Sequence, residues 1–199
     1  TGLPLELGGA ASLAQVAEVI HARFPSLNVL MANAGISRAE DLASGHWDDL
    51  DAEAIVDTNI LGVLRTVATF LPLLTRQRSA TLMATSSSLA FLPLAGFPTY
   101  CASKAFLHSW LVSLRHQLRH LPVDVLELSP PYVQTGLTGA AQASDPRAMP
   151  VQDYVQHVLL KLERGDHPRG EVLLDADQAR RWAERDGTYD AIFALMNPA

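Results

Sequence analysis

The sequence has little cysteine, no basic run and no long apolar run, and each shortage excludes a class of protein. Cys101 is the one cysteine, so no intrachain disulfide can form and we expect a reducing, cytoplasmic setting. The net charge of −6, with no basic run, argues against nucleic acid or an anionic membrane as partner. No uninterrupted apolar run reaches the roughly 20 residues that span a bilayer, and no secretory signal opens the chain. The seven histidines have no metal-ligand spacing, so we interpret them as surface groups and predict no metal site.

The remaining composition is that of an ordinary globular protein. With 199 residues, 48% of them apolar and 18% charged, the chain can form one domain with a sizeable core, and we predict a single domain over 1–199. Short apolar stretches of strand type alternate with helical patterns, which predicts a parallel sheet covered by helices on both faces. The predicted strands are Leu3 to Leu7, followed by a Gly8-Gly9 turn, Asn28 to Met31, Ala80 to Ser86, Val123 to Leu128 and Glu171 to Leu174.

Apolar residues at spacings of three and four predict the helices between these strands. Ser12 with Gln15 three residues later has the pattern of a capping box at a helix start. Gly62 interrupts a long helical pattern, and close packing is the usual reason to tolerate a glycine there. The region from Gly136 to Pro150 has little periodicity and is predicted to be a mobile loop. The predicted helices begin at Ser12 and run from about Asp51 to Gln77, from Pro98 to Leu118, from Val151 to Leu162, and from Asp177 to Met196 with a break at Gly187.

Ser87, Tyr100 and Lys104 have spacings that acid/base chemistry can use. If a helix starts near Pro98, Tyr100 and Lys104 lie one turn apart on one face. We expect the ammonium to pull the tyrosine pKa below its usual value of roughly 10. Ser87 follows a predicted strand, where its hydroxyl could hold a carbonyl or alcohol oxygen against the tyrosine. The alternatives are a plain strand-end cap for the serine, a solvated helix lysine and a tyrosine in water.

These residues and four further matches resemble the short-chain dehydrogenase/reductase family, and most closely its bacterial DltE-like branch. Ser87 followed by Tyr100-x-x-x-Lys104 is similar to the active site of that family. The other matches are Ala32-Asn33-Ala34-Gly35, which resembles its N-N-A-G turn, Asn59 in Thr58-Asn59-Ile60-Leu61-Gly62, Pro130-Pro131-Tyr132-Val133-Gln134-Thr135, which resembles P-G-x-V-x-T, and the serine-to-tyrosine spacing itself. The resemblance implies a Rossmann-like, doubly wound α/β fold. Independently of it, Asn33, Ser87 and Pro130 to Thr135 follow predicted strands, so they converge at the edge of the sheet where such folds bind ligands.

The resemblance also implies the chemistry: NAD(P)-dependent interconversion of a carbonyl and a secondary alcohol of a small molecule. It assigns catalysis to Tyr100, Lys104, Ser87 and Asn59, the asparagine holding a water that links the lysine to solvent. A buried, satisfied core asparagine is the alternative for Asn59. The residues implied for binding NAD or NADP are Asn33, Ala34, Gly35, Tyr100, Lys104, Pro130, Val133 and Thr135. A homodimer or homotetramer is implied by the same family, and neither the substrate nor the preferred cofactor follows from these residues.

Two further interpretations concern the surroundings of this site. Leu89, Phe91, Leu94, Phe97, Tyr132 and Leu137 could line an apolar substrate pocket, although aromatic residues at such places are as often core. Cys101 is interpreted as a small buried residue and not as a nucleophile.

The chain departs from the family at its beginning and at one proline. It has no T-G-x-x-x-G-x-G turn for phosphate and no counterpart of the first two strands, and Pro131 stands in place of the motif glycine. Since the chain opens with Thr1 and not methionine, we expect that an earlier segment exists. The alternative is a truncated relative that no longer binds dinucleotide and acts as an interaction module. A third hypothesis keeps Tyr100 as an acid in a dehydration or epimerisation without redox chemistry.

Overall fold

A computed structural model describes residues 2–7 and 10–198, and its centre is a sheet of four parallel strands. The strands are β1 (Val29–Ala32), β2 (Ala80–Thr85), β3 (Val123–Ser129) and β4 (Glu171–Leu173), and they lie side by side in chain order. Ala32 pairs with Ala84, and Ala84 pairs with Glu127. The carboxyl ends of the first three strands therefore lie next to one another at one edge of the sheet, as the Rossmann-like prediction requires.

Helices connect the strands, and most of them follow the predicted periodicity. They are α1 (Ala10–Arg23), α2 (Leu50–Val56), α3 (Gly62–Leu74), α4 (Pro98–Leu118), α5 (Ala140–Ala143), α6 (Val151–Glu163), α7 (Gln178–Arg181) and α8 (Tyr189–Met196). Between α2 and α3 the helix continues through one wider π turn, Asp57–Leu61. The long helical pattern predicted between Asp51 and Gln77 is thus confirmed, with a π turn that its periodicity did not indicate.

Helices pack on both faces of the sheet, as predicted for an α/β architecture. On one face α3 and α4 contribute apolar side chains such as Val67, Leu107 and Leu111, and these pack against Leu82 and Val125 of the strands. Because side chains alternate along a strand, the smaller cluster on β3 and β4, with partly buried residues of α6, lies on the opposite face, where Val29 and Met31 of β1 stay about half exposed. It comprises Leu128, Val158 and Val172, with Met83, Tyr154 and Leu162 against them.

Three predictions about local structure are wrong. Leu3–Leu7 is not a strand: no strand in the described residues pairs with it, and an extended segment without a ladder partner gains none of the sheet's hydrogen bonds. The predicted Gly8-Gly9 turn lies outside the described residues. Ser12 does not begin a helix, because α1 starts at Ala10, and its hydroxyl instead accepts a hydrogen bond from the Glu6 amide at 3.0 Å. The helix predicted from Asp177 to Met196 does break at Gly187, as expected, but its predicted extent is wrong, since residues 182–187 form turns and two short helices remain.

Gly62 confirms the prediction of close packing. A Cβ atom at this position would lie 3.0 Å from the Leu7 Cβ and 3.2 Å from its Cδ1. Arg65 of the next turn donates to the Leu7 carbonyl at 3.1 Å. The segment before α1 is therefore held against the start of α3, and any side chain at Gly62 would push it away.

The continuous helical stretch Leu50–Leu74 is long and apolar enough to cross a membrane when judged by length and composition alone. Core helices of soluble proteins meet the same criterion, so this observation is weak evidence. Ile55, Val63 and Leu74 of the stretch are buried, and Asp57 and Arg65 form an ion pair at 2.8 Å on its surface. Its apolar character is accounted for in part by packing against the sheet.

Candidate active site

Tyr100 and Lys104 lie on the first two turns of α4, which begins directly after the loop that leaves β2. Pro98 occupies the first turn, where its missing N–H is no loss, and the helix continues unbroken to Leu118. The Lys104 Nζ lies 5.6 Å from the centre of the Tyr100 ring. The predicted arrangement of the two side chains on one face of one helix is therefore confirmed.

The electrostatics of Tyr100 differ from the prediction. Burial raises the pKa of Tyr100 from 10.0 to about 12, and the nearby Ser87 hydroxyl opposes this shift only in part. The expectation that Lys104 would lower the pKa below 10 is wrong for this structure. The lysine ammonium is bound to another acceptor and lies above the ring, whereas burial removes water from the phenol itself. Tyr100 is consequently a protonated phenol at neutral pH.

Lys104 is buried behind Tyr100, with only 3% of its surface exposed. Its Nζ donates to the carbonyl of Thr85, the last residue of β2, at 2.8 Å. Burial lowers the pKa of Lys104 from 10.5 to about 8. An ammonium has three donors, and Thr85 is its one hydrogen-bond acceptor among the described residues, so two donors remain for a ligand.

The side chains packed around Gly35 explain why a glycine follows β1 at this point. A Cβ atom there would lie 3.3 Å from the Asn59 Oδ1 and 3.3 Å from the Lys104 Nζ, closer than side-chain contacts normally come. Asn33 and Ala34 beside it are exposed, and the Asn33 Oδ1 accepts from the Thr85 hydroxyl at 2.9 Å. The turn that resembled N-N-A-G is thereby brought against the helix that carries Lys104.

Asn59 is fully buried in the π turn, and each polar atom of its amide is used. Its Oδ1 accepts from the Ile36 amide at 2.8 Å, and its Nδ2 donates to the Ile36 carbonyl at 2.9 Å and to the Ser103 hydroxyl at 3.0 Å. The wider turn presents this side chain inward, and such turns are frequent at functional sites. Asn59 therefore joins three segments: the loop after β1, its own helix and α4. Its role in holding a water stays a prediction.

Ser87 follows β2 and faces the same region as Tyr100. Its Oγ accepts from the Leu89 amide at 3.1 Å, so it caps the short 3-10 helix Ser88–Ala90. This is the capping role that we kept as the alternative. The hydroxyl can still donate its own proton, so capping does not prevent it from holding a substrate oxygen.

Of the residues predicted after β3, Pro130 has the most direct link to this region. Its carbonyl accepts from the Ser88 amide at 3.1 Å, which joins the exit of β3 to the exit of β2. The Val133 side chain is buried and its carbonyl accepts from the Gln142 amide group at 2.7 Å, while the Thr135 hydroxyl accepts from the Leu137 amide at 3.3 Å. These two residues shape the loop after β3, and their predicted contacts with a cofactor stay predictions.

That loop contains structure that its sequence did not indicate. The predicted unstructured region from Gly136 to Pro150 contains α5, and the side chain of Gln142 in α5 is buried. Gln142 accepts from both the amide and the hydroxyl of Thr138, at 2.9 Å and 2.7 Å. The mobility of the region from Gly136 to Pro150 stays a prediction.

Tyr100 and Ser87 open onto a cavity of about 430 Å³. Five of the six residues predicted for an apolar pocket line it, namely Leu89, Leu94, Phe97, Tyr132 and Leu137, together with Pro131, Arg147, Arg180, Met196 and others. Phe91 does not: its ring packs edge-on against His108, with ring centres 5.0 Å apart, and under the Arg181 guanidinium. The cavity is of the size and apolar character of a small-molecule site.

The sequence and the fold agree with one family of proteins. A model of that family, described as short chain dehydrogenase, matches residues 1–146. The uncharacterized oxidoreductase DltE of Bacillus subtilis (strain 168) is 38% identical over an alignment of 181 residues, which covers 87% of this chain and 69% of the relative. The chain belongs to the short-chain dehydrogenase family, which is a family of oxidoreductases. An uncharacterized oxidoreductase of Myxococcus xanthus (strain DK1622) is 33% identical over 70% of this chain, which spans about half of that relative, 54%.

Solved structures of the same family have this fold. A short chain dehydrogenase from Burkholderia cenocepacia J2315 in complex with NADP superposes with a TM-score of 0.80 at 23% identity, over 98% of this chain and 80% of that one. The NADPH-bound carbonyl reductase from chicken fatty liver superposes with a TM-score of 0.69 at 26% identity, over 80% of this chain and 66% of that one. The predicted Rossmann-like fold is therefore confirmed.

Sequence reasoning missed Glu40, which supports the start of the helix that carries Tyr100. Phe97 provides no side-chain cap for α4, and the Glu40 carboxylate takes that place by accepting from the Thr99 amide at 2.9 Å and the Thr99 hydroxyl at 2.8 Å. A carboxylate at a helix N-terminus is also favoured by the helix dipole. No motif signalled this residue, because its partner is 59 positions away.

His108 was also misinterpreted, since it is not a surface group. Its Nδ1 lies 2.8 Å from the Glu127 Oε2, and the other oxygen of this fully buried carboxylate accepts from the Ser86 hydroxyl. Ser129 completes the network at 2.9 Å from the Ser86 Oγ. His108 lies four residues after Lys104 on α4, so the stripe of Tyr100 and Lys104 continues into this network. The spacing of four residues between Lys104 and His108 was the one feature of the sequence that could have indicated this position.

Replacing Lys104 with methionine tests whether burial lowers the pKa of this lysine. The folded protein loses its Lys104 proton near pH 8 and the unfolded chain near 10.5, so the cost of burying the charge disappears as the pH rises between them. We expect the free energy of unfolding of the wild type, minus that of Lys104→Met, to rise by about 2.5 kcal/mol from pH 7 to pH 10, measured by urea titration. Lys161→Met is the control, because Asp166 and Asp175 raise the pKa of Lys161. The free energy of unfolding of the wild type minus that of Lys161→Met should therefore stay constant up to pH 10 and fall above it. A flat difference for Lys104→Met would contradict the burial argument.

Proposed function

We propose that this protein is an NAD(P)-dependent oxidoreductase that interconverts a carbonyl and a secondary alcohol of a small molecule. The observation that carries the proposal is that Tyr100 opens onto an apolar cavity beside Ser87 while Lys104 of the next turn is buried against the turn containing Gly35. One face of the tyrosine thus meets a space for substrate. The opposite side meets backbone and a lysine with free donors.

The residues around Lys104 fit part of a nicotinamide dinucleotide. The glycine at Gly35 leaves room that a Cβ atom would fill, the neighbouring Asn33 and Ala34 are exposed, and Lys104 has two unused donors. These residues, with Pro130, Val133 and Thr135 on the adjacent strand end, would hold the cofactor. That NADP and NADPH are bound by the two structural relatives of this fold supports the assignment.

In the proposed reaction Tyr100 is the proton donor. The cofactor, when bound, supplies the hydride that the carbonyl carbon accepts. The carbonyl oxygen takes the proton of the Tyr100 hydroxyl, while the Ser87 hydroxyl polarises the same oxygen, and the tyrosine regains a proton from solvent. Tyr100 is protonated at neutral pH, as a proton donor must be, but burial raises its pKa and so makes it a weaker acid than a tyrosine in water.

Lys104 would act by binding. Its ammonium lies 5.6 Å from the centre of the tyrosine ring, and its two unused donors would bind the cofactor. Asn59 and Ser103 hold the helix and the turn around it. A homodimer or homotetramer and a cytoplasmic location belong to the same proposal, as expectations from the family and the composition.

Turnover with defined cofactors tests the proposal. The protein is mixed with NADPH or NADH and a panel of ketones, and the loss of reduced nicotinamide absorbance is compared with the secondary alcohol formed, measured by chromatography. We expect equimolar loss of reduced cofactor and gain of alcohol. Failure of both cofactors to bind in a fluorescence titration would overturn the proposal and support the interaction-module alternative. Product formed without cofactor would support dehydration or epimerisation.

A further inference from the structure

Arg180 lies on the wall of the cavity that Ser87 and Tyr100 also line. Its Nη1 donates to the Ser88 Oγ at 3.1 Å and to the Asp177 Oδ1 at 3.0 Å. The Ser88 contact holds the guanidinium against the residue that follows Ser87 in the chain. A positive charge is therefore held on the wall of the cavity that contains the proposed reaction centre.

Asp177 engages Arg180 through one oxygen and leaves most of the guanidinium free. Its Oδ2 has no hydrogen-bond partner in the described part of the chain, although the carboxyl group is only 3% exposed. Burial raises the pKa of Asp177, and the Arg180 charge opposes this shift. In residues 2–7 and 10–198, Nε and Nη2 of Arg180 donate to no acceptor.

The neighbouring arginines differ from Arg180 in this respect. Arg181 binds both oxygens of Glu171, through Nε at 2.8 Å and Nη2 at 3.0 Å. Arg147, the other arginine that lines the cavity, binds Asp145 in the same two-pronged way and is 82% exposed. Arg181 and Arg147 each bind a protein carboxylate through two nitrogens, Nε and Nη2. In the described part of the chain, the same two nitrogens of Arg180 bind no protein acceptor.

The rest of the cavity favours an apolar ligand with one charged end. Its side chains next to the polar groups are mostly aliphatic or aromatic: Leu89, Leu94, Phe97, Leu137 and Met196. An arginine with two parallel N–H donors matches the two oxygens of a planar carboxylate, and hydrogen bonds of this type are among the strongest in proteins. The cavity therefore combines a carbonyl-binding pair with a separate anion-binding group.

We propose that Arg180 selects substrates in which a carboxylate lies a few bonds from the reacting carbonyl, that is, short oxo acids with an apolar tail. The selection rests on the proposed function, because Ser87 and Tyr100 are taken to hold the carbonyl. The carboxylate binds the Nε and Nη2 side of Arg180, and Asp177 and Ser88 act as positioning residues that keep the guanidinium at the wall.

A matched pair of ligands tests Arg180. The probes are 2-oxo-4-phenylbutanoate and its ethyl ester, which differ in the negative charge. We expect the wild type to bind the acid about tenfold more tightly than the ester by calorimetry, and to show a similar ratio in kcat/KM with NADPH. Arg180→Lys keeps a charge beside Asp177 but loses the fork, so the ratio should fall to about threefold.

Two more variants complete the test. Arg180→Met alone leaves Asp177 buried without its partner, so it is combined with Asp177→Asn, and the ratio should then approach one with ester binding unchanged. Arg147→Met, the control, should keep the wild-type ratio. Acid binding no tighter than ester binding in the wild type, or an equal loss for both ligands in the variants, would overturn the assignment. Selective binding of the acid without turnover would support the carboxylate site and contradict the proposed oxidoreductase function. Equal turnover of acid and ester would support the oxidoreductase function and contradict the carboxylate site.

Discussion

Replacing Tyr100 with phenylalanine is expected to lower kcat for carbonyl reduction by about three orders of magnitude. A positioned general acid contributes roughly 10²- to 10⁴-fold, and among the described residues that line the cavity Tyr132 is the one other with a phenol, carboxyl, imidazole, ammonium or thiol group. Phenylalanine keeps the ring that packs over Lys104, so the variant should fold. The measurement is single-turnover reduction with NADPH, together with a fluorescence titration of cofactor binding, which should change by less than about threefold.

Tyr132→Phe provides the matched control for Tyr100→Phe. Tyr132 also lines the cavity, but its hydroxyl donates to Asp145 at 3.2 Å and its side chain is substantially exposed. We expect kcat within about twofold of the wild type, because this hydroxyl is engaged by Asp145 and is not the proposed acid. Equal losses in the two variants would contradict the assignment of the proton to Tyr100. A Tyr100→Phe variant that keeps full activity would do so more directly.

The sequence predicted those parts of the site that depend on local spacing. Tyr100 and Lys104 share a helix face because the helical repeat brings residues four apart together, and the strand-type runs place Ser87 and Asn33 at strand ends. Gly62 also behaved as expected, since a glycine inside a helix indicates a close neighbour. Periodicity and motif order were sufficient for the architecture around these residues.

The parts that could not be predicted depend on contacts between distant segments. Burial decides the pKa of Tyr100, and burial is a property of the packed chain and not of the four-residue spacing. The cap that Glu40 provides for α4 and the network of His108 with Glu127 both join segments that no local pattern relates. Leu3–Leu7 has the composition of a strand, but a strand also requires a neighbour, and composition does not supply one.

Contacts between distant segments also bear on the two hypotheses for Asn59. It either holds a water for proton transfer or is a buried residue whose hydrogen bonds link parts of the fold. In the structure its side chain satisfies both the amide and the carbonyl of Ile36 and also reaches Ser103. Asn59→Leu would leave these polar groups without partners in a buried site, at a cost of roughly 1–3 kcal/mol for each fully buried group. We therefore expect the free energy of unfolding to fall by about 4 kcal/mol in urea titration, with loss of cofactor binding as Gly35 separates from Lys104.

Asn33→Ala is the control for this experiment, because Asn33 is exposed and makes one side-chain hydrogen bond, with Thr85. It should lower the free energy of unfolding by less than about 1 kcal/mol. If Asn59 served only to hold a water for proton transfer, Asn59→Leu would keep nearly wild-type stability and lose kcat alone. Loss of stability and of cofactor binding together, with kcat affected only through them, requires instead that Asn59 holds the loop after β1 against α4.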